Sequence, residues 1–407
     1  IDSEYRTLLA DLETLNQKKN QANTEMVQLK KAGQDVTPKI NEMKEVSAAI
    51  SETKKRVEVL AEEIKTALLH IPNLPSDDTP DGDASNNRII KEWGSAVSPG
   101  YPLKNHLELG ESLDILDFER ATKLSGSSFI LFKHDGARLE RALIQFMLDL
   151  HTEEHDYAEV APPFMVRRQC MEGTGQLPKF EFDMYRIFRG NAEDEAAGPQ
   201  ESDMFLIPTA EVPVTNIHRQ EILNAETLPM GYCAYTPCFR LEAGAYGKDT
   251  KGMMRVHQFD KVELVRFATE ENEVEEHEKL LQHAEKVFQK LGLQYRVVLL
   301  AAGDLGFSAA KCYDIEVWAP GSEQWLEASS CSRFGDFQAR RMQLRYKEGE
   351  EKPKLVRTLN GSGVALARTF IALIETYQNA DGTIRIPEAL QPYMRGKKLI
   401  EPVKKRS

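Results

Sequence analysis

Three groups of residues are of the types that handle phosphate and carboxylate chemistry. In the segment 232–266, Arg240 and Glu242 stand two apart, and so do Lys261 and Glu263. On a strand that spacing puts each pair on one face. The flanks are rich in β-branched and aromatic residues, while Gly244, Gly247 and Gly252 alternate with Lys248, Lys251 and Arg255 in the middle. The segment therefore reads as two strands joined by a glycine-rich, basic loop. Taken alone, the four charges fit the solvated face of an antiparallel sheet.

The second group is Glu327-Ala328-Ser329-Ser330. It lies on one of two paired strands, 312–318 and 325–331, separated by a turn with Ala-Pro-Gly-Ser. Alternation predicts Glu327, Ser329 and Cys331 on one face, with Ala328 and Ser330 on the other. A carboxylate beside hydroxyls is often plain edge solvation; it also suits Mg²⁺ bound together with nucleotide phosphates, since that ion prefers oxygen ligands. The third group is Arg368. The run Leu359-Asn360-Gly361-Ser362-Gly363 is predicted to open a helix that is apolar nearly all round, with Arg368 in its first turns. A buried arginine there needs a protein carboxylate or a bound phosphate. Thr209-Ala210-Glu211, taken alone, reads as a helix cap.

The full strings are more specific than the spacings. Phe-Arg-x-Glu-Ala-Gly (239–244), Gly-x-Asp-Thr-x-Gly (247–252) and His-Gln-Phe-x-Lys-Val-Glu (257–263) resemble motif 2 of the class II seryl-tRNA synthetases of bacterial and organellar type. Ala161-Pro162-Pro163 is similar to motif 1, Pro-Thr-Ala-Glu-Val-Pro (208–213) to the serine-binding loop, and Gly-Ser-Gly-x-Ala-x-x-Arg-Thr (361–369) to motif 3. The tail Pro-Glu-Ala-Leu-Gln-Pro-Tyr (387–393) is also typical of the family. The resemblance runs in order from about residue 5 to about 395.

That resemblance implies an α+β fold, a class II antiparallel sheet framed by helices and preceded by a long antiparallel coiled-coil hairpin. It implies activation of L-serine by ATP, transfer to tRNA(Ser) and also to tRNA(Sec), and a homodimer. Catalysis falls to Arg240, Arg255 and Arg368. Serine is placed with Thr209, Ala210, Glu211, Arg240, Glu263, Asn360 and Ser362, the hydroxyl being read by Glu263. ATP is placed with Arg240, Leu241, Glu242, Val256, Glu327, Ala328, Ser329, Ser330 and Arg368, and Mg²⁺ with Glu327 and Ser330.

These residues need scaffolding, and the rest of the chain supplies it. With 407 residues and 41% hydrophobic content it can bury a large core and form two or three domains. A formal charge of −12 argues against a nonspecific polyanion binder and makes any nucleic-acid contact local. The cysteines are five, Cys170, Cys233, Cys238, Cys312 and Cys331, with no Cys-x-x-Cys spacing. Neither a disulfide framework nor a zinc site follows, and a reducing cytoplasm fits. No stretch approaches about 18 uninterrupted apolar residues, so no membrane span is expected. The start at Ile1 rather than methionine suggests that the natural chain extends further, with room for an N-terminal address.

Residues 1–71 show heptad spacing. Tyr5, Leu8, Leu12, Leu15, Ala22, Met26 and Leu29, with Lys19 at the one polar position, form the first run. After 32–38, Ile40, Met43, Ile50, Val57, Ala61, Ile64 and Leu68 form the second, with Ser47 and Lys54 at seam positions. Two such helices, each on the order of 45 Å long, make a hairpin expected to project from the body. By pattern alone it is a dimerisation or scaffolding device; the resemblance makes it a tRNA-binding arm. Residues 72–102, with Pro72, Pro75, Pro80 and Pro99, are expected to be a linker, and 103–407 the catalytic body. The acidic stretch 190–203 reads as a mobile loop. Two other readings remain: a synthetase-like ligase that loads a carrier protein, and an inactive paralogue that binds RNA as a scaffold.

Overall fold

A computed structural model describes residues 1–95, 97, 99–188, 200, 202–242 and 252–403. The loop expected over 243–251, with Gly244, Gly247, Lys248 and Lys251, lies outside these residues, as does most of the stretch 190–203. The chain divides into two units, Ile1–Pro72 and Asn73–Ser407.

The first unit is a helical hairpin of α1 (Asp2–Lys31) and α2 (Thr37–Leu69). Ion pairs from Glu4 to Arg56 at 2.8 Å and from Glu25 to Lys39 at 2.6 Å show that the helices run antiparallel. In α1 the buried and half-buried positions are Tyr5, Leu8, Leu12, Leu15, Lys19, Ala22, Met26 and Leu29, the expected seam. In α2 the seam takes a different phase. It passes through Lys39, Met43, Val46, Ile50, Thr53, Val57, Leu60 and Ile64, while Ile40, Lys54 and Leu68 are exposed. Both phases share Met43, Ile50, Val57 and Ile64, so 3,4 spacing alone does not separate them. Leu60, with no exposed surface, decides the matter.

The second unit is built on an eight-stranded sheet, labelled here β1 (Arg88–Trp93), β2 (Ala158–Glu159), β3 (Met230–Phe239), β4 (Gln258–Ala268), β5 (Tyr295–Leu299), β6 (Lys311–Ala319), β7 (Gln324–Arg333) and β8 (Arg357–Ala365). Their order is β1-β5-β6-β7-β8-β4-β3-β2, and every pairing is antiparallel except β2 with β3. The edge strand β1 falls inside the stretch expected to be a linker, pairing Arg88 with Leu299 and Trp93 with Tyr295. Asn73 is fixed as well, its Nδ2 donating to the carbonyls of Ser308 and Phe334, both at 2.8 Å. Prolines and polar residues there mark irregular backbone that is nonetheless bound to the body.

Helices α3 (His134–Glu154), α5 (Glu273–Leu291) and α6 (Leu366–Thr376) frame the sheet; α4 is the single turn Glu211–Thr215. The main core joins Leu143, Phe146 and Met147 of α3, Phe288 of α5 and Phe370 and Ile374 of α6 to Val262, Val297, Ile315 and Ala328 of the sheet. On the other face Val265 and Phe267 of β4 meet Ala210, Val214, Met342 and Tyr346. That second face matters most. Along β4 it presents Lys261 and Glu263 before Val265 and Phe267, so one strand face passes from a polar site into an apolar core.

Two pairing irregularities shape the site. Between β6 and β7 the register skips Ala328, running from Ile315↔Ser329 to Glu316↔Glu327. Between β8 and β4 it skips Gly363, running from Ser362↔Glu263 to Val364↔Val262. A bulge adds one residue to one strand and breaks the period of two. The run 359–363, expected to open a helix, is thus the end of β8, and α6 begins only at Leu366.

Candidate active site

A cavity of about 480 Å³ opens at the ends of these strands. Its walls include Thr209, Glu211, Arg240, Glu242, Arg255, Val256, Glu327, Ala328, Ser329, Ser330, Asn360, Ser362 and Arg368. Most of the residues singled out in the sequence therefore converge on one space. Three do not line it. Ala210 is fully buried in the second core, Leu241 is tied by its N–H to the Asp183 carbonyl at 3.1 Å, and Glu263 sits just behind the wall.

Arginines gather at one side. Strand β3 ends at Phe239, and Arg240 carries the pairing one residue further through its N–H to the His257 carbonyl at 2.9 Å. Glu242 then turns into the left-handed region at φ 50°, so strand alternation does not set its direction. It still faces the cavity, with Arg255 donating to it at 3.4 Å. Arg240 donates Nε to the Pro208 carbonyl at 3.3 Å and lies 5.2 Å from the centre of the Phe259 ring. Arg368, in the first turn of α6, donates to the Glu327 carbonyl at 2.6 Å and stands 3.5 Å from its carboxylate. It is part-exposed rather than sealed in the core, because it looks into the cavity.

The bulge at Ala328 explains the second group. Ala328 and Cys331 pack into the main core, and Glu327, Ser329 and Ser330 all reach the cavity, so the two hydroxyls are not split between opposite faces as alternation predicts. Ser329 Oγ donates to the Ser362 carbonyl at 2.6 Å and ties β7 to β8. Asp314 lies across from Ser330 in the register. Burial, and then the Glu327 charge, push its carboxyl up to about 7.

A largely buried polar network lies at the other end, with Thr209, Glu211, Lys261 and Asn360 at the cavity wall and Glu263 behind them. Glu263 has no exposed surface; its Oε1 accepts from Asn360 Nδ2 at 2.7 Å, and its Oε2 from Thr209 Oγ1 at 3.1 Å and from Lys261 Nζ. Lys261 Nζ also donates to Thr209 Oγ1 at 2.7 Å. Glu211 accepts from Gln338 Nε2 at 2.6 Å and from Asn360 Nδ2 at 3.2 Å. Gln338 is itself held by Thr358 Oγ1 at 2.8 Å. Burial, and then the neighbouring Glu263, push Glu211 up to about 7. Thr209 Oγ1 also accepts the Glu211 N–H at 3.2 Å in a local turn just ahead of α4. The helix itself has Ala210 at its N-cap and no side-chain cap bond, so Thr209 does not cap it as the sequence pattern suggested.

Sequence reasoning missed Gln338, Thr358 and Asp314, and gave Lys261 no role. Lys261 stood two residues from Glu263 on a strand, which was the signal for it. Gln338 carried none, since it lies in the short helix Phe337–Met342, remote in sequence from everything it touches.

Mg²⁺ can be judged from the donors. Glu327 and Ser330 offer hard oxygen beside an arginine, with a second carboxylate, Asp314, behind them. Among the described residues no group of three or more His, Cys, Asp or Glu is placed to hold a metal alone. The donors fit Mg²⁺, which commonly takes one or two protein ligands and completes its shell with water and phosphate oxygen.

An antiparallel sheet closed by an arginine-bearing helix, with a charged cavity at its strand ends, is the core of a class II aminoacyl-tRNA synthetase. Residues 193–377 match the tRNA synthetase class II core domain (G, H, P, S and T), and residues 1–75 the seryl-tRNA synthetase N-terminal domain. The chain is 54% identical over 398 residues to the serine-tRNA ligase of Trichlorobacter lovleyi, covering 97% of this chain and 91% of that one. The Clostridium tetani serine-tRNA ligase is 50% identical over 403 residues, 98% and 92% of the two chains. Seryl-tRNA synthetase from Pyrococcus horikoshii, solved with ATP, superposes with a TM-score of 0.89 at 39% identity, over 99% of this chain and 92% of that one. The chain belongs to the seryl-tRNA synthetase family, a family of ligases.

Proposed function

We propose that the chain activates L-serine with ATP to seryl-adenylate and pyrophosphate, then passes the seryl group to the terminal adenosine of tRNA(Ser) and also of tRNA(Sec). The observation that carries this reading is the convergence of Arg240, Arg255 and Arg368 on one cavity with Glu327 and Ser330, beside the buried polar network around Glu263. The serine carboxylate attacks the α-phosphorus and the pyrophosphate leaves. The nucleophile is already ionised, so the protein supplies alignment and positive charge where charge builds up. Arg240 and Arg255 face the α-phosphate, Arg368 the γ-phosphate, and Glu242 the adenosine, with Leu241 and Val256 backing it. Glu327 and Ser330 would hold Mg²⁺, which neutralises phosphate charge when bound.

Serine lies against Thr209, Glu211, Asn360 and Ser362, with Ala210 packing behind them. Glu263 reads the hydroxyl: its Oε2, shared in the free enzyme by Thr209 and Lys261, accepts the substrate's O–H. Alanine brings no such donor, so only where binding displaces the Thr209 hydroxyl from Oε2 does rejecting it reach the order of 10⁴ to 10⁵-fold seen in favourable sites. In this reading 1–71 is the tRNA-binding arm, and the catalytic body expected over 103–407 takes in the stretch from Asn73 as well, with β1 as an edge of its sheet. The enzyme is a homodimer of the cytoplasm with Ala161-Pro162-Pro163 near the interface.

Among the described residues no helix is long and apolar enough to cross a membrane. Serine-dependent exchange of labelled pyrophosphate into ATP, with alanine, threonine and cysteine alongside, tests the reading. Exchange with serine is expected. No exchange with any amino acid, from a folded protein, would replace this reading with the RNA-binding scaffold.

A further inference from the structure

Phe182 is 92% exposed, the most exposed large apolar side chain among the described residues. Its position is specific: Phe180, Asp183 and Met184 all line the cavity, so the ring stands on the rim of that wall. The turn that displays it is firmly held. Asp183 N–H donates to the Phe180 carbonyl at 2.9 Å, and the Asp183 carbonyl accepts from Leu241 next to Arg240. Glu181 is ion-paired with buried Arg168. Lys179 is exposed on the same turn, its Nζ 4.9 Å from the centre of the Phe307 ring, another residue of the cavity wall. A fixed turn that holds an aromatic ring in water, three residues from a lysine whose Nζ lies over the Phe180 and Phe307 rings of the cavity wall, has the chemistry of a base-stacking platform.

The substrates narrow the occupant. ATP and serine fit inside the cavity, whose lining does not include Phe182. Only a polynucleotide end must be inside and outside at once, with its terminal ribose at the reacting atoms and its last bases crossing the rim. Unstacked bases at single-stranded ends are what aromatic side chains recognise in RNA.

We propose that Phe182 is a stacking platform for the single-stranded 3′ end of the tRNA, receiving one of its last two bases while the terminal ribose enters the cavity. The proposal rests on the reading of this chain as a seryl-tRNA synthetase. The test uses the whole protein with a bacterial serine tRNA transcript carrying 2-aminopurine at the terminal or the penultimate position, in wild type, Phe182→Leu and Phe182→Tyr. One of the two probes is expected to be quenched by wild type and by Phe182→Tyr but not by Phe182→Leu. Phe182→Leu should lower kcat/KM for tRNA about tenfold or more, while serine-dependent pyrophosphate exchange stays within about twofold of wild type.

Equal charging and equal quenching in all three proteins would overturn the proposal. So would a loss of exchange in Phe182→Leu, which would put the ring in adenylation. A change in oligomeric state on sedimentation would assign the ring to a protein interface instead. If wild type itself fails to exchange, the seryl-tRNA synthetase reading falls, and this proposal with it.

Discussion

Glu211 and Glu263 are joined through one side chain: Asn360 Nδ2 donates at 3.2 Å to Glu211 Oε2 and at 2.7 Å to Glu263 Oε1. Two carboxylates that share a donor away from water do not hold two charges easily. One of them, Glu211, is pushed up to about 7 by burial and by its partner.

Serine capture should therefore depend on pH near neutrality. If ionised Glu211 receives the substrate ammonium, kcat/KM for serine falls as pH drops below about 7, with one proton involved, and Glu211→Gln flattens that limb at a lower plateau. The sign for stability is opposite. The folded carboxyl keeps its proton above the unfolded value of 4.5, so Glu211 makes stability decline as pH rises from 4.5 to about 7. Steady-state kinetics and urea titrations across pH 5–8 read the two effects separately.

The Lys261–Glu263 pair is buried on both sides. Removing one partner leaves the other charge unpaired, which costs about 3–5 kcal/mol. Glu263→Gln should lose both stability and serine-dependent exchange, whereas Glu263→Gln with Lys261→Met should recover much of the stability and none of the exchange. Urea midpoints and exchange rates on the two proteins check this; recovered exchange in the double variant would remove Glu263 from hydroxyl readout.

The two arginines should separate by kinetic parameter. Arg240→Lys keeps a charge but loses the planar fork, and a drop in kcat of about 10²–10³ is expected for a donor that acts on the transition state. If Arg368 holds the distal phosphate as proposed, Arg368→Lys should raise KM for ATP more than it lowers kcat. Pyrophosphate exchange at varied ATP distinguishes them.

Acid should destabilise the second unit through a histidine cluster. His151 Nδ1 lies 3.0 Å from His155 Nδ1, the His155 and His283 rings stack at 4.1 Å, and Tyr157 Oη is 3.1 Å from His283 Nδ1. Burial first, then the neighbouring histidines, push His151 and His283 down to about 3. Lys279, Lys286, Lys290 and Arg266 oppose protonation, while Glu154 favours it at His155 and a Gly363 backbone hydrogen bond favours it at His151. The unfolded chain takes up protons at about 6.5 and the folded one does not, so stability present above 6.5 is lost as pH falls toward 3. In His283→Leu the fall in urea midpoint between pH 6.5 and 4.5 should be shallower than in wild type.

Much of this was legible in the sequence where the pattern is local. The α1 seam, the strand pairs around 240 and 263, and the arginine of α6 follow from periodicity and residue type. What escaped has physical reasons. The seam of α2 has two phases that agree at every second position, and only the packing of Leu60 separates them. The bulges at Ala328 and Gly363 break alternation, so Ser330 joins Glu327 and Ser329 at the cavity. Gln338 reaches Glu211 across more than a hundred residues, and nothing in its own neighbourhood announces that contact.

The span of the cavity's walls, from Gly175 to Arg368, has a consequence for synthesis on the ribosome. β8 and the first turn of α6, which supply Asn360, Ser362 and Arg368, are made last and lie between strands made much earlier. A nascent chain halted between the end of β4 and the start of β8 carries Glu242 and Glu263 without the groups that finish the pocket. If the cavity is the charging site, such fragments have no partial capacity to charge RNA, and truncated products are inert rather than error-prone.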